Sequence, residues 1–246
     1  MAYAGLYFLV LRNGGNKDAY YAQVMMLTGI TGLLALIPAL FFFKRDQAAR
    51  RYGGLLHEKS RQRLGLGEGI LLFVMGSALA QYINMAVNLL LMGSDASMKY
   101  QNTIERMTGG KTLISMICWI GIVAPLAEEA IFRWLIFLRL RDNLRLITAA
   151  VLSGVLFGIY HGNLVQGIYA SILGTVFALL LEWSGSLWSS VLLHMGANIW
   201  SLISGAAASY ILESEKVLMV WGMLVLGMLF LTVFGMYYFY KKYTKI

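Results

Sequence analysis

Long apolar runs separated by short polar segments are the main pattern of this 246-residue chain. A helix needs about 20 mostly apolar residues to cross the hydrocarbon layer of a membrane, so each long run predicts a transmembrane helix. The predicted spans are 23–43, 69–92, 111–140 (bent near Pro125), 146–162, 164–183, 187–205 and 217–240. The short apolar segment 2–11 adds an eighth crossing only if it inserts fully. The pattern therefore predicts an all-α, polytopic transmembrane helix bundle that forms one integral-membrane domain over residues 1–246.

The distribution of charge predicts how this bundle is oriented. Only 13% of residues are charged, against about 25% in soluble domains. Basic residues are concentrated in segments 44–67 and 139–145 and in the tail after residue 240. By the positive-inside rule these parts are cytoplasmic, and segments 93–110 and 206–216 are external. We therefore attribute the net charge of +8 to contact with an anionic lipid leaflet and expect no nucleic-acid partner. Without an organellar signal, we expect the plasma membrane of a bacterium.

Three charged side chains interrupt the interior of the apolar run 111–140, whose ends carry Lys111 and Arg139. They are Glu128, Glu129 and Arg133, and a charge at the bilayer centre costs about 2.5–3.5 kcal/mol on insertion scales, which makes it a functional hypothesis. Glu129 and Arg133 are four residues apart on one helix face, in the order that favours an ion pair. Successive helical residues point about 100° apart, so Glu128 faces elsewhere and is left for chemistry.

Two of the three histidines lie in later spans. At a rise of about 1.5 Å per residue, Glu128 lies roughly 16 Å, His161 about 22 Å and His194 about 10 Å from the cytoplasmic ends of their helices. All three are therefore expected in the middle region of a hydrocarbon core about 30 Å thick. Phe157 shares a helix face with His161 and can orient it, although packing is its favoured interpretation. Asn198 shares a face with His194 and can either fix the imidazole or donate a hydrogen bond to an oxyanion. The third histidine, His57, is predicted to be an ordinary solvated side chain of the basic segment.

These residues form three motifs in a fixed order. Glu128 to Arg133 reads EExxxR, Phe157 to His161 reads FxxxH, and His194 to Asn198 reads HxxxN. In this order they resemble the signature of the CPBP family of intramembrane proteases, also called the CAAX-protease or Abi family. The resemblance covers about residues 111–205, which we take as the catalytic core. Trp134 departs from the pattern, because many members carry glycine at that position.

The resemblance implies a peptidase that hydrolyses a peptide bond of a membrane-embedded or lipidated substrate. The residues that correspond to the family's site are Glu128, Glu129, His161, His194 and Asn198. We expect Glu128 and His161 to hold and deprotonate a water molecule, and His194 and Asn198 to stabilise the oxyanion. Glu129 and Arg133 would brace the helix. A metalloprotease is the open alternative, since Glu128, His161 and His194 also match a His2Glu set for zinc or another divalent metal.

Other classes of membrane protein are less favoured by the sequence. A proton-coupled transporter also uses buried Glu, His and Arg, but it predicts internal repeats, and none is visible here. A non-catalytic scaffold or immunity protein would keep the fold with eroded motifs, whereas all three motifs are intact. Rhomboid-type serine and intramembrane aspartate patterns are missing. Cys118 is the single cysteine; it excludes an internal disulfide framework and is interpreted as a packing residue.

Overall fold

The computed structural model describes residues 17–53 and 64–244, and side chains from residue 23 to residue 243 within these ranges. The described residues form eight helices and no strand. The helices are α1 (Lys17–Tyr52), α2 (Leu66–Leu90), α3 (Asp95–Thr108), α4 (Leu113–Asn143), α5 (Leu146–Tyr160), α6 (Leu164–Ser184), α7 (Leu187–Glu213) and α8 (Glu215–Thr244). The prediction of an all-α helix bundle is confirmed. Segment 2–11 and His57 lie outside the described residues.

Six of the described helices are long and apolar enough to cross a membrane: α1, α2, α4, α6, α7 and α8. The seventh predicted span corresponds to α5, which has 15 residues. Its length of about 22 Å is shorter than a hydrocarbon core of about 30 Å. The seven predicted apolar segments are therefore all helical, and α5 alone is too short to cross by itself.

Helix α3 occupies the segment that the sequence marks only as polar and external. The Ser94 side chain caps its first turn by accepting a hydrogen bond from the backbone N–H of Ser97. Its apolar and polar residues separate onto two faces, which is the pattern of a helix that lies on a surface. The hydroxyl of Tyr100 on α3 lies 3.3 Å from the hydroxyl of Tyr169 on α6, within hydrogen-bond distance. Helix α3 therefore packs on the bundle at the end where α2 finishes and α4 begins.

Helices α2 and α7 pack with their backbones in close contact. A Cβ atom on Gly76 would overlap the carbonyl group of Leu193, and one on Gly196 would overlap that of Phe73. The hydroxyl of Ser77 donates a hydrogen bond across this crossing to the carbonyl oxygen of Gly196, at 3.1 Å. Small residues at such a crossing are typical of membrane helices, because lipid gives apolar side chains little drive to associate. The crossing fixes the part of α7 that carries His194.

Helix α4 leaves regular α-geometry on both sides of Pro125. The segments Ile117–Val123 and Ala130–Phe137 are π-helical, and Ala124–Glu129 between them is α-helical. A π-turn widens the helix by one residue and is frequent at functional sites. Trp134, in the second segment, stacks on Phe43 of α1 with ring centroids 4.2 Å apart. Trp134, which stands where many members of the CPBP family carry glycine, therefore packs against α1.

Helices α5 and α6 form a tight hairpin. Gly162, at the turn, has φ of 70°, a left-handed conformation that favours glycine. Asn163 then caps α6, because its side-chain oxygen accepts a hydrogen bond from the backbone N–H of Gln166 at 2.7 Å. The hairpin places His161 at the end of α5, immediately before the turn.

Candidate active site

A buried ion pair on α4 forms the base of the site. Glu129 and Arg133 are fully buried, and Arg133 Nε donates to Glu129 Oε2 at 2.8 Å. Arg133 Nη1 also donates to Ser153 Oγ at 2.9 Å, and that hydroxyl donates to the carbonyl of Phe132 at 3.2 Å. Every charged atom of the pair is thus offered a partner, which a buried ion pair requires. The predicted ion pair between Glu129 and Arg133 is confirmed.

Two aromatic rings enclose the guanidinium group of Arg133. Its central carbon lies 5.3 Å from the ring centroid of Phe157 and 5.5 Å from that of Phe177. At these distances the face of each ring contributes a cation–π attraction in a site shielded from water. The rings exclude solvent from the ion pair and hold the arginine in one place.

His194 joins α7 to both glutamates of α4. Its Nδ1 lies 3.0 Å from Glu129 Oε1, and its Nε2 lies 3.7 Å from Glu128 Oε2. A carboxylate only accepts, so Nδ1 carries the proton in the first contact. The imidazole also stacks on Phe177, with ring centroids 4.9 Å apart. Glu129 therefore fixes the ring of His194 and directs its Nε2 atom toward Glu128.

Glu128 differs from its neighbour in exposure. Its side chain keeps 16% of its accessible surface, whereas that of Glu129 is fully buried. This difference follows from the helical rotation between adjacent residues. Glu128 is thus the carboxylate that a water molecule or a substrate can reach.

His161 is oriented by its own helix. Its Nδ1 lies 2.8 Å from the carbonyl oxygen of Phe157, so Nδ1 donates and Nε2 is left with a lone pair. The Phe157 ring meets His161 edge-on at 4.7 Å and His194 at 5.6 Å between centroids. Phe157 is also a core residue that is only 2% exposed. The expected contact with His161 and the favoured packing interpretation therefore hold together.

Asn198 lies one turn beyond His194 on α7. Its side-chain nitrogen donates to the carbonyl oxygen of Ile120 on α4 at 2.9 Å. The amide nitrogen carries two N–H groups, so one further donor remains beyond this bond. The two roles expected for Asn198, fixing His194 or donating to an oxyanion, stay predictions, and the bond that is seen joins Asn198 to the backbone of α4.

Two tyrosines near the site were not among the candidates from sequence. Tyr169 of α6 is close enough to Glu128 for the charge of that carboxylate to act on its hydroxyl. Its partner Tyr100 belongs to α3, where burial raises the pKa of the phenol and the hydrogen bond to Tyr169 opposes that rise. Only the helical periodicity of segment 95–108 could have indicated Tyr100, since a single tyrosine in a polar segment carries no signal.

The donor set does not match the metal alternative. Within residues 17–53 and 64–244, no group of three or more His, Cys, Asp or Glu side chains is arranged to hold a metal ion. The proposed zinc set of Glu128, His161 and His194 is therefore not assembled in this arrangement, and we derive no step through a metal.

Comparison with known proteins adds family evidence over this part of the chain. The family model described as "Type II CAAX prenyl endopeptidase Rce1-like" matches residues 110–200. A curated relative from Bacillus subtilis (strain 168), named "Putative membrane peptidase YdiL", is 33% identical over 88 residues. That match covers 36% of this chain and 36% of the relative, so it spans about a third of each protein. No solved structure matches the chain. The part of the chain that is similar to the Rce1-like family of CAAX prenyl endopeptidases, residues 110–200, contains all of the candidate site residues.

Proposed function

We propose that this protein is an intramembrane endopeptidase whose nucleophile is a water molecule activated by Glu128. The observation that carries the proposal is the contact between Glu128 and His194, 3.7 Å apart on two apolar helices and supported by a fully buried Glu129–Arg133 pair. Peptide hydrolysis needs a base for the water and a donor for the oxyanion. This arrangement supplies both groups and keeps bulk water away from them.

The first step is attack of the water on the carbonyl carbon of the substrate. Glu128 accepts one proton of the water, and His161 holds the water through the lone pair of Nε2. The oxygen of the water forms a bond to the carbonyl carbon, and the carbonyl electron pair moves onto its oxygen. The electron pair on the oxyanion then re-forms the carbonyl double bond as the C–N bond breaks, and Glu128 gives its proton to the leaving amine. One water and one peptide bond thus become a carboxyl and an amino group.

The oxyanion of this intermediate is assigned to His194 and Asn198. The role requires the doubly protonated ring of His194, which donates to Glu129 through Nδ1 and to the oxyanion through Nε2. The second N–H of Asn198 provides the other donor. Donors that are fixed before the reaction contribute most, and loss of one such donor typically lowers kcat by about 10²–10³. Glu129 and Arg133 serve by orienting His194.

The substrate class follows from the family and from the setting of the site. We propose a membrane-embedded or lipidated peptide or protein, reached from the lipid bilayer. The Rce1-like family is named for CAAX prenyl endopeptidases, and the curated relative is named as a membrane peptidase. A multi-pass location in a bacterial plasma membrane, with the basic loops in the cytoplasm, completes the proposal.

Cleavage by the reconstituted protein tests this function. The wild type and His161→Ala are placed in liposomes with a library of prenylated peptides and unmodified membrane-spanning peptides, and products are identified by mass spectrometry. We expect hydrolysis by the wild type and a loss of about 10²–10⁴-fold in His161→Ala, the usual contribution of a group that assists proton transfer. His57→Ala is the matched control and keeps the wild-type rate. Wild-type rates in His161→Ala, or no product from any peptide class, would contradict the proposal and favour a non-catalytic scaffold.

A further inference from the structure

The first π-helical segment of α4 ends directly at Pro125. Hydrogen bonds in a π-helix join each N–H to the carbonyl five residues earlier. The last such bond runs from the N–H of Ala124 to the carbonyl of Trp119. The next donor in this register is residue 125, a proline, which has no N–H. The carbonyl of Ile120 is therefore the acceptor that loses its backbone partner.

Asn198 of α7 provides the donor that Pro125 lacks. Its Nδ2 atom donates to this same carbonyl oxygen of Ile120 at 2.9 Å. Within a membrane, a backbone carbonyl without a donor is costly, because no water replaces the missing bond. The open carbonyl thus selects one position and one direction for the side chain of Asn198.

We propose that Pro125 is a positioning residue that fixes the Asn198 amide for catalysis by leaving the carbonyl of Ile120 open. The inference rests on the proposed function, in which the second N–H of Asn198 faces the oxyanion. One N–H is held by α4, so the plane of the amide and the direction of the other N–H are set before the substrate binds. A donor that is oriented in advance needs no reorganisation when the oxyanion forms.

The consequence of replacing Pro125 follows from the same geometry. In Pro125→Ala, the new N–H of residue 125 continues the π-register and bonds to the Ile120 carbonyl in place of Asn198. The amide of Asn198 is then released from its anchor. Because small errors in placement lower rates strongly, we expect kcat to fall by about tenfold to a hundredfold while KM changes by less than about twofold.

The test is a double-mutant cycle on the full-length protein in liposomes, with wild type, Pro125→Ala, Asn198→Ala and the double variant. Thermal unfolding midpoints and the kcat and KM of peptide cleavage are measured for each protein. Pro38→Ala is the control, since Pro38 is the other proline of the chain and also lies inside a helix. Pro38 is exposed on the described bundle and is not one of the candidate site residues, so its replacement should leave kcat unchanged.

The expected result is coupling between the two sites. Asn198→Ala should lower the unfolding midpoint in the wild type and lower it much less in Pro125→Ala, where residue 125 now supplies the bond. The kcat of the double variant should equal that of Asn198→Ala alone. Equal losses of midpoint in both backgrounds would overturn the inference. If the midpoints are coupled but none of the proteins cleaves a peptide, the result would support the exchange of the hydrogen bond to Ile120 between Asn198 and residue 125. The same result would overturn the proposed peptidase function.

Discussion

Glu129 is the residue at which the buried polar contacts of this protein meet. One carboxylate oxygen accepts from Arg133, and the other lies 3.0 Å from Nδ1 of His194. The bond to Arg133 lies within one helix and follows from a spacing of four residues, so the sequence predicts it. The contact with His194 joins residues 65 positions apart, and no local pattern indicates which face of α7 meets α4. Sequence therefore identifies candidate site residues and the contact within α4, but not the contacts between helices.

Removal of one member of the buried ion pair should be costly. Arg133→Met leaves Glu129 charged in an apolar interior, and such a loss typically lowers the free energy of unfolding by about 3–5 kcal/mol. Replacing both residues, as Arg133→Met with Glu129→Leu, should recover part of this loss because no charge is left unpaired. Unfolding in mixed micelles measures the free energy of unfolding of the wild type, Arg133→Met and the double variant.

Arg139→Met is the matched control for this change. Arg139 belongs to the same helix and pairs with Asp46, but its side chain is 46% exposed. Exposed pairs contribute about 0–1 kcal/mol, so the control should change little. Equal losses for Arg133→Met and Arg139→Met would show that burial of the first pair has no energetic consequence.

At the scale of the elements, close backbone contact with α2 positions α7, the helix that carries His194 and Asn198. The sequence predicts α4 and α7 from long apolar runs, and Pro125 indicates a distortion in α4. It does not indicate that the distortion takes the form of two π-segments, because the register of a helix depends on packing against its neighbours. It also leaves α3 unrecognised, since segment 95–108 is polar on average and its helical period shows only in how its few apolar residues are spaced. The sequence predicts helix α5 as a span over 146–162, but the helix has only 15 residues and is too short to cross the membrane by itself.

Gly196→Ala should disrupt the crossing of α2 and α7. The added Cβ overlaps the backbone carbonyl of Phe73, which cannot turn aside as a side chain can. We expect a loss of about 1–3 kcal/mol in the free energy of unfolding, the range for an overpacked core. A loss of cleavage should accompany it, because His194 lies two residues away on the same helix.

The control is Gly205→Ala on the same helix, where an added Cβ meets no atom within 4 Å. That change should be neutral or stabilising by up to about 1 kcal/mol, since alanine favours a helix more than glycine does. Equal stability of the two variants would contradict the close contact between α2 and α7.

At the scale of the whole molecule, the ion pairs outside the candidate site collect at one end of the bundle. Interhelical ion pairs join Arg50 to Asp142, Arg139 to Asp46, Arg141 to Glu182 and Lys242 to Glu68. These residues lie at the ends of α1, α4, α6 and α8 and at the start of α2. Because the directions of the spanning helices alternate, the ends of α1, α4, α6 and α8 and the start of α2 lie at one face, as the clusters of basic residues in the sequence predict. Helix α3 lies at the opposite face.

The orientation of these two faces can be measured by cysteine labelling. In a Cys118→Ser background, Arg145→Cys reports on the basic face and Glu105→Cys on α3, and both native side chains are exposed. The positive-inside rule places the basic face in the cytoplasm. A membrane-impermeant maleimide should therefore label Glu105→Cys in intact cells and Arg145→Cys only after permeabilisation. The reverse order of labelling would contradict the proposed orientation.

The most direct test of Glu128 as the base is the rate of peptide-bond cleavage by Glu128→Gln relative to the wild type, measured in the same liposomes. Glutamine keeps the shape of the side chain but cannot accept a proton from water. We predict that cleavage falls by at least about 10³-fold while the unfolding midpoint stays within a few degrees, and that Glu105→Gln on the exposed face of α3 cleaves at the wild-type rate. Cleavage by folded Glu128→Gln within tenfold of the wild type would contradict the assignment of Glu128 as the base.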